Sequence, residues 1–195
     1  MDEQEMIGLA SKGDPTAFES LMREHENKMY AVALRMCGNR DDALDCVQEA
    51  MLRVYRAIAD FKMQSSFATW VYRITMNACL DELRRRKVRR SVSLDNMLET
   101  GWSPSDEDDT PERHSIRSEQ RRCIESAIAD LPDDMRAAIV LRDVQGFSYE
   151  EIAQILRANI GTVKSRISRG RGKLREKLME SADLFGRTQW KEGEE

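Results

Sequence analysis

Apolar residues recur at alternating three- and four-residue steps through nearly every segment long enough to carry a period. Stripes of that kind can be buried only by packing helix on helix, and this restricts the chain more than any other feature. From Met6 to Met36 the positions Ile7, Leu9, Phe18, Leu21, Met22, Met29, Val32, Ala33 and Met36 follow the pattern, interrupted by the turn signal Gly13-Asp14-Pro15, so two helices are expected. Gly38-Asn39 ends the second, and Asp41-Asp42 opens a third with Leu44, Val47, Met51, Val54 and Ile58 as its apolar stripe. After a break around Phe61 to Gln64, Ser65 and Ser66 offer N-caps for a helix whose inward face is Phe67, Trp70, Val71, Ile74, Ala78 and Leu83. That helix ends in the basic run Arg84 to Arg90. An all-α fold is expected, and 6% aromatic and 34% charged residues with only four prolines agree with it.

A chain of 195 residues suits two small cores better than one large one. Periodicity fades between Ser91 and Ser118, where SPSDEDDTPE carries two prolines and the acidic residues Asp106, Glu107, Asp108, Asp109 and Glu112, the composition of a flexible linker. Helical spacing resumes with Cys123, Ile124, Ala127 and Ile128, breaks at Leu131-Pro132, and continues through Met135, Ile139 and Val140. The expected division is a helical lobe over 1–90, an acidic linker over 91–118, a second lobe over 119–181 and a polar tail over 182–195. Cys37, Cys46, Cys79 and Cys123 form no CxxC or Cys/His grouping along the chain, so their spacing predicts neither a metal site nor a disulfide framework. The acidic N-terminus lacks an apolar core and no apolar run could span a bilayer, so secretion and membrane insertion are not expected, and the cytoplasm is. No cofactor is expected.

Near the C-terminus, Ser148 followed three residues later by Glu151 forms a capping box that starts a helix with Ile152, Ile155 and Leu156 inward. Arg157-Ala158-Asn159 makes a short turn, and Ile160, Val163, Ile167 and Leu174 give the next helix its apolar stripe. Thr162, Lys164, Ser165, Arg166, Ser168 and Arg169 fall on or beside the opposite face, with Arg171, Lys173, Arg175 and Lys177 extending the charge. This is the pattern of a helix-turn-helix, which needs base-edge donors early in its second helix and phosphate contacts around them. The net charge of -4 does not oppose DNA binding, because a polyanion responds to the local patch.

In the first lobe, Asp42, Asp45 and Glu49, with Gln48 beside them, make an acidic edge opposite the stripe of the third helix, either solvated surface or a docking face for a basic partner. Phe67, Trp70 and Ile74 read as core, whereas the loop Gln64 to Ser66 and Asn77 offer amides and hydroxyls that could hold unpaired bases beside phosphate-binding arginines. A metal-dependent nuclease built on Asp106 to Asp109 is disfavoured, since nothing periodic would hold those carboxylates rigidly.

Three stretches in this order, DDALDCVQEAMLRVYRAI, FKMQSSFATWVYRITMNACLDELRRRK and LPDDMRAAIVLRDVQGFSYEEIAQILRANIGTVKSRISRGRGKL, closely resemble the extracytoplasmic-function sigma factors of bacterial RNA polymerase. The resemblance implies a sigma-2-like lobe and a sigma-4-like lobe, and a non-enzymatic role in promoter-specific initiation. Asp42, Asp45, Gln48 and Glu49 would dock on the clamp helices of the largest subunit of the polymerase core. Lys62, Met63, Gln64, Ser65, Ser66 and Asn77 would capture a flipped base of the minus-10 element, with Arg84, Arg85, Arg86 and Lys87 on the surrounding phosphates. Thr162, Lys164, Ser165, Arg166, Ser168 and Arg169 would read the minus-35 element, with Tyr149 and Glu150 near the backbone. The second lobe would meet the polymerase flap region, the acidic linker would either thread a polymerase channel or serve as a tether, and an anti-sigma factor would hold the protein inactive. The family often has Pro where Asn159 stands, which leaves the entry angle of the last helix open. A stand-alone helix-turn-helix regulator is the alternative, but it leaves the first lobe without a role.

Overall fold

Each helix begins and ends at chemistry visible in the sequence. The structure, a computed structural model, describes residues 2–92 and 111–181, with side chains for 2–89 and 119–181. Helix α1 (Glu3–Ala10) leads to Asp14, whose Oδ1 accepts from the backbone N–H groups of Thr16 at 2.9 Å and Ala17 at 3.1 Å, starting α2 (Pro15–Cys37) with Pro15 at its first position. Gly38 closes α2 at φ 76°, a left-handed conformation that glycine adopts without Cβ strain. Asn39, not the Asp41-Asp42 pair, then caps α3 (Arg40–Ala57) by accepting from Asp42 N at 2.9 Å. A short 3₁₀ turn, Ile58–Asp60, leads to the loop before α4 (Phe67–Val92), and of the two candidate serines it is Ser66 that caps α4, accepting from Thr69 N at 3.1 Å.

Helices α1 to α4 form the first lobe around Leu21, Met22, Met29, Val32, Met36, Phe67, Val71 and Met76. Phe67 and Trp70 are buried with Phe61 against them, 5.6 and 5.0 Å between ring centroids, so these aromatics are core rather than stacking platforms. The stripe of α3 is rotated from the expected one. Ala43, Cys46, Val47, Ala50 and Val54 are buried, whereas Leu44 is 41% exposed, because small residues let α3 approach α2 and α4 closely and swing Leu44 outward.

Helical structure resumes at Pro111, ahead of the expected boundary at 119. Helix α5 (Pro111–Ala129) takes up residues assigned to the linker, with Pro111 at the first position where its fixed φ and missing N–H are tolerated. Asp106 to Asp109 and the tail after Ser181 lie outside the described residues. Ala127 and Ile128 face inward, but Ile124 is exposed. Leu131-Pro132 restarts the chain as α6 (Asp133–Ile139), which runs into a π turn at Val140–Val144, and the helix-turn-helix pair α7 (Tyr149–Leu156) and α8 (Ile160–Glu180) follows. Helix α8 crosses α6 at Gly170, where a Cβ would sit 2.8 Å from Cγ1 of Ile139.

The lobes pack on one another through α2, α4, α5, α6 and α7. Tyr72 and Phe147 meet edge to face at 4.9 Å, Arg35 pairs with Glu125 at 2.8 Å, and Lys87 pairs with Asp133 at 2.6 Å. Buried Arg136 donates from Nη1 to the carbonyl of Met36 at 2.6 Å and from Nη2 to the carbonyl of Leu131 at 3.0 Å. A guanidinium removed from water needs such acceptors, and here they belong to both lobes.

Candidate DNA-binding and polymerase-docking surfaces

The helix-turn-helix is built as its residues require. Glu151 accepts from the backbone N–H of Ser148 at 2.9 Å while Ser148 Oγ accepts from Glu151 N at 3.2 Å, completing the capping box of α7. Arg157 takes the left-handed conformation, φ 49°, that ends α7, and Asn159 caps α8 by accepting from Thr162 N at 2.7 Å. An Asn at this position therefore starts the helix by its own side chain. Ile152, Ile155, Val163 and Ile167 are buried between the helices.

Lys164, Ser165, Ser168 and Arg169 are exposed on one side of α8, and Thr162 is half-buried beside them. The guanidinium of Arg169 rests 3.3 Å from Ser165 Oγ, a contact that a DNA acceptor can replace. Arg166 departs from the expected face: it is half-buried and pairs with Asp134 of α6 at 3.2 Å, because its position lies next to the packed stripe. Tyr149 lies between two cations, 4.8 Å from Arg142 and 5.8 Å from Lys164, while Glu150 is exposed at the start of α7. The Arg171 side chain is drawn to Asp143 at 3.1 Å.

In the first lobe, Lys62, Met63, Gln64 and Ser66 are exposed and Ser65 is half-buried. Met63 sits at φ 53°, unusual for a residue with a Cβ, at the tip of this loop. Asn77 is not adjacent to the loop. It lies on the same face of α4 as Ser66 but roughly 16 Å further along the axis, with Arg73 between them. Arg73, Lys62, Gln64 and Ser65 line a cavity of about 580 Å³ whose other wall is Gln154 and Arg157 of the helix-turn-helix. Periodicity had given no sign of this apposition.

The basic end of α4 divides in two. Arg84 and Arg85 are exposed and, among the described residues, pair with carboxylates of their own helix, Asp81 at 2.8 Å and Glu82 at 3.2 Å. Arg86, expected on phosphates, turns inward, pairing with Asp42 and donating to the carbonyl of Cys37 at 2.8 Å, while Lys87 bridges to Asp133 of the second lobe. Position along α4 decides this, since Arg86 falls on the side facing α2 and α3.

The acidic edge divides likewise. Asp42 is held by Arg86 and Asn39, and Glu49 by Arg53 at 2.7 Å, whereas Asp45 and Gln48 face solvent. Leu44, Leu52 and Tyr55 are exposed along the same helix, the latter two half so, which turns an acidic edge into a mixed apolar and acidic strip. Leu52 and Tyr55 fall outside the predicted apolar stripe, and that offset is the sequence signal for the strip.

Comparison with known proteins agrees with both lobes. Residues 21–89 match the family model of sigma-70 region 2, and residues 121–174 that of sigma-70 region 4. The chain is 35% identical over 184 residues to the ECF RNA polymerase sigma-E factor of Haemophilus influenzae, covering 91% of this chain and 96% of the relative. It is 36% identical over 176 residues to the ECF RNA polymerase sigma factor SigW of Bacillus subtilis, covering 88% and 94%. Among solved structures, the sigma factor RpoE in complex with the anti-sigma factor NepR from Bartonella quintana superposes with a TM-score of 0.69 at 28% identity, covering 83% of this chain and 96% of that one. CnrH, solved with the cytosolic domain of CnrY, shares the fold, with a TM-score of 0.66 at 24% identity over 92% of this chain and 99% of that one. Two sigma-70 regions in order on one chain, matched nearly end to end by such relatives, place this protein in the extracytoplasmic-function group of the sigma-70 family of RNA polymerase sigma factors.

Proposed function

We infer that the protein binds RNA polymerase core and directs it to promoters carrying minus-10 and minus-35 elements, without catalysing a reaction itself. The observation that carries this reading is the pairing, in one chain, of a region-2 lobe bearing an exposed acidic and apolar strip with a region-4 helix-turn-helix whose basic face is open.

Asp45 and Gln48, with Leu44 and Leu52 beside them, dock on the clamp helices of the polymerase, where apolar area supplies affinity and the carboxylate supplies orientation. Helix α8 enters the major groove at the minus-35 element with Lys164, Ser165, Ser168 and Arg169 toward base edges and Thr162 at its start, and Tyr149 and Glu150 lie near the backbone. The loop from Lys62 to Ser66 receives a base extruded from the minus-10 element, Arg73 and Asn77 continue that path along α4, and Arg84 and Arg85 hold the phosphates. Binding energy drives the opening, because single-stranded DNA gains contacts that the duplex cannot make.

The cavity between the two readers would hold a small ligand but no duplex, whose major groove alone is about 12 Å wide. The lobes therefore part when the protein joins the polymerase, which sets their separation and raises the effective concentration of one reader once the other is bound. An anti-sigma factor that holds the lobes together or covers the exposed strip of α3 would keep the protein inactive, a reading supported by the complex of the similar sigma factor with NepR. No described helix is long and apolar enough to cross a membrane.

The test is reconstitution. Core polymerase loaded with the purified protein should start transcription at promoters recovered by sequencing the DNA it binds. Binding of the protein to duplex DNA with no association with core would overturn this reading in favour of a stand-alone regulator.

A further inference from the structure

Cys37 at the end of α2, Cys46 in α3 and Cys79 in α4 bring their Sγ atoms within 4.8 Å of one another, with Cys37 and Cys46 3.6 Å apart. All three are buried, and Cys79 has no exposed surface at all. Cys37 also lines a cavity of about 580 Å³ between the lobes, which gives the group a route to solvent.

The spacing suits a metal ion. Three thiolates at about 2.3 Å from one centre lie roughly 3.8 to 4.0 Å from each other, whether the ion is tetrahedral or trigonal, so little rearrangement would be needed. The donor set restricts its kind. Among the described residues no histidine or carboxylate joins the group, so hard oxygen-seeking ions find no ligands, while an all-sulfur set selects soft ions.

The three thiols are shifted in opposite directions. Hydrogen bonds from Cys37 and Cys79, helped by the charges of Arg85 and Arg53, hold the Cys46 thiol below its ordinary value. Burial and hydrogen bonding within the group push the thiols of Cys37 and Cys79 up, and an entering ion binds cysteines as thiolates, so its uptake releases protons. Arg86, which donates to the carbonyl of Cys37, places a cation beside the three sulfurs.

We propose that Cys37, Cys46 and Cys79 form a trithiolate site for one soft, thiophilic metal ion, Cu(I) or Zn(II), which ties α2, α3 and α4 together beneath the basic end of α4. Zn(II) would take a water from the cavity as its fourth ligand, and Cu(I) would need none.

Reduced full-length protein, titrated without oxygen with Zn(II) and separately with Cu(I) against a chromophoric chelator, should take up one ion per chain. X-ray absorption of the loaded protein should count three sulfur neighbours at about 2.3 Å. Because loss of an outer-shell partner alone costs about 10- to 100-fold in affinity, Cys79→Ser, which removes a ligand, should cost at least roughly 100-fold, while Cys123→Ser changes nothing. Uptake of neither ion, fewer than three sulfurs, or unchanged affinity in Cys79→Ser would overturn the assignment and leave the cluster as packing. Should Cys79→Ser fail to fold, the sulfur count on the unmodified protein decides by itself.

Discussion

The guanidinium of Arg86, on α4, pairs with the carboxylate of Asp42, in the first turn of α3, and also donates to the carbonyl of Cys37 at the end of α2 at 2.8 Å. One cation thus fastens three helices of the first lobe, and both partners of the pair are about three-quarters buried, with 22% and 24% of their side chains exposed. Arg86→Ala is expected to destabilise the protein by about 1–3 kcal/mol, because it leaves the part-buried Asp42 carboxylate with Asn39 but without its cation and removes a donor from the Cys37 carbonyl. Chemical denaturation checks this. A variant of unchanged stability that lost only affinity for promoter DNA would return Arg86 to the phosphate-binding surface.

On α8, Arg169 is exposed and loosely held by Ser165, whereas Arg166 is committed to Asp134. Arg169→Ala should weaken holoenzyme binding by about 1–3 kcal/mol and relax discrimination at one minus-35 position. Arg166→Ala should alter promoter selectivity much less. Binding of both variants across a set of minus-35 substitutions distinguishes them, and equal effects would mean that the Arg166–Asp134 pair opens on DNA.

Asp45 faces solvent in the middle of the mixed strip on α3. Reversing its charge should cost core association about 2 kcal/mol, roughly thirtyfold in Kd, since like charge would meet a basic partner surface. The melting temperature should hardly move, because the side chain is exposed and makes no hydrogen bond or ion pair among the described residues. Normal co-purification of Asp45→Arg with core polymerase would place the docking surface elsewhere.

His25 packs its ring 5.5 Å from Phe67, and its Nε2 is buried without a hydrogen-bond partner among the described residues. Burial, opposed in part by Glu3 and Glu24, lowers its pKa below the ordinary 6.5. The folded state therefore binds this proton less readily than the unfolded chain, so the contribution of neutral His25 is fully present above pH 6.5 and is lost as pH falls through the lower folded value. Melting curves between pH 7.5 and about 5 should show a fall in stability that is smaller in His25→Phe, which keeps the ring and removes the titration. Parallel pH profiles in the two proteins would show that His25 carries no part of it.

The sequence by itself determined the helices and most of their ends, though not the Asn39 cap of α3 or the Pro111 start of α5. The Gly13-Asp14-Pro15 turn, the Ser148/Glu151 capping box and the Asn159 start of α8 are local events, in which a side chain satisfies a backbone group two or three residues away, and such chemistry is legible without knowing the fold. The exposed residues of the recognition helix followed from the same periodicity. Only the tertiary structure decided which charges were available and which were consumed. Arg86, Lys87 and Arg166 look as open as Arg84, Arg85 and Arg169 along the chain, yet each of the first three finds a carboxylate on another helix, because the packing angle of that helix brings the carboxylate within reach. The rotation of α3 that exposes Leu44, and the meeting of three cysteines from three helices, have the same origin: one-dimensional periodicity fixes a face to within a residue or so, whereas contact depends on where the neighbouring helices come to rest.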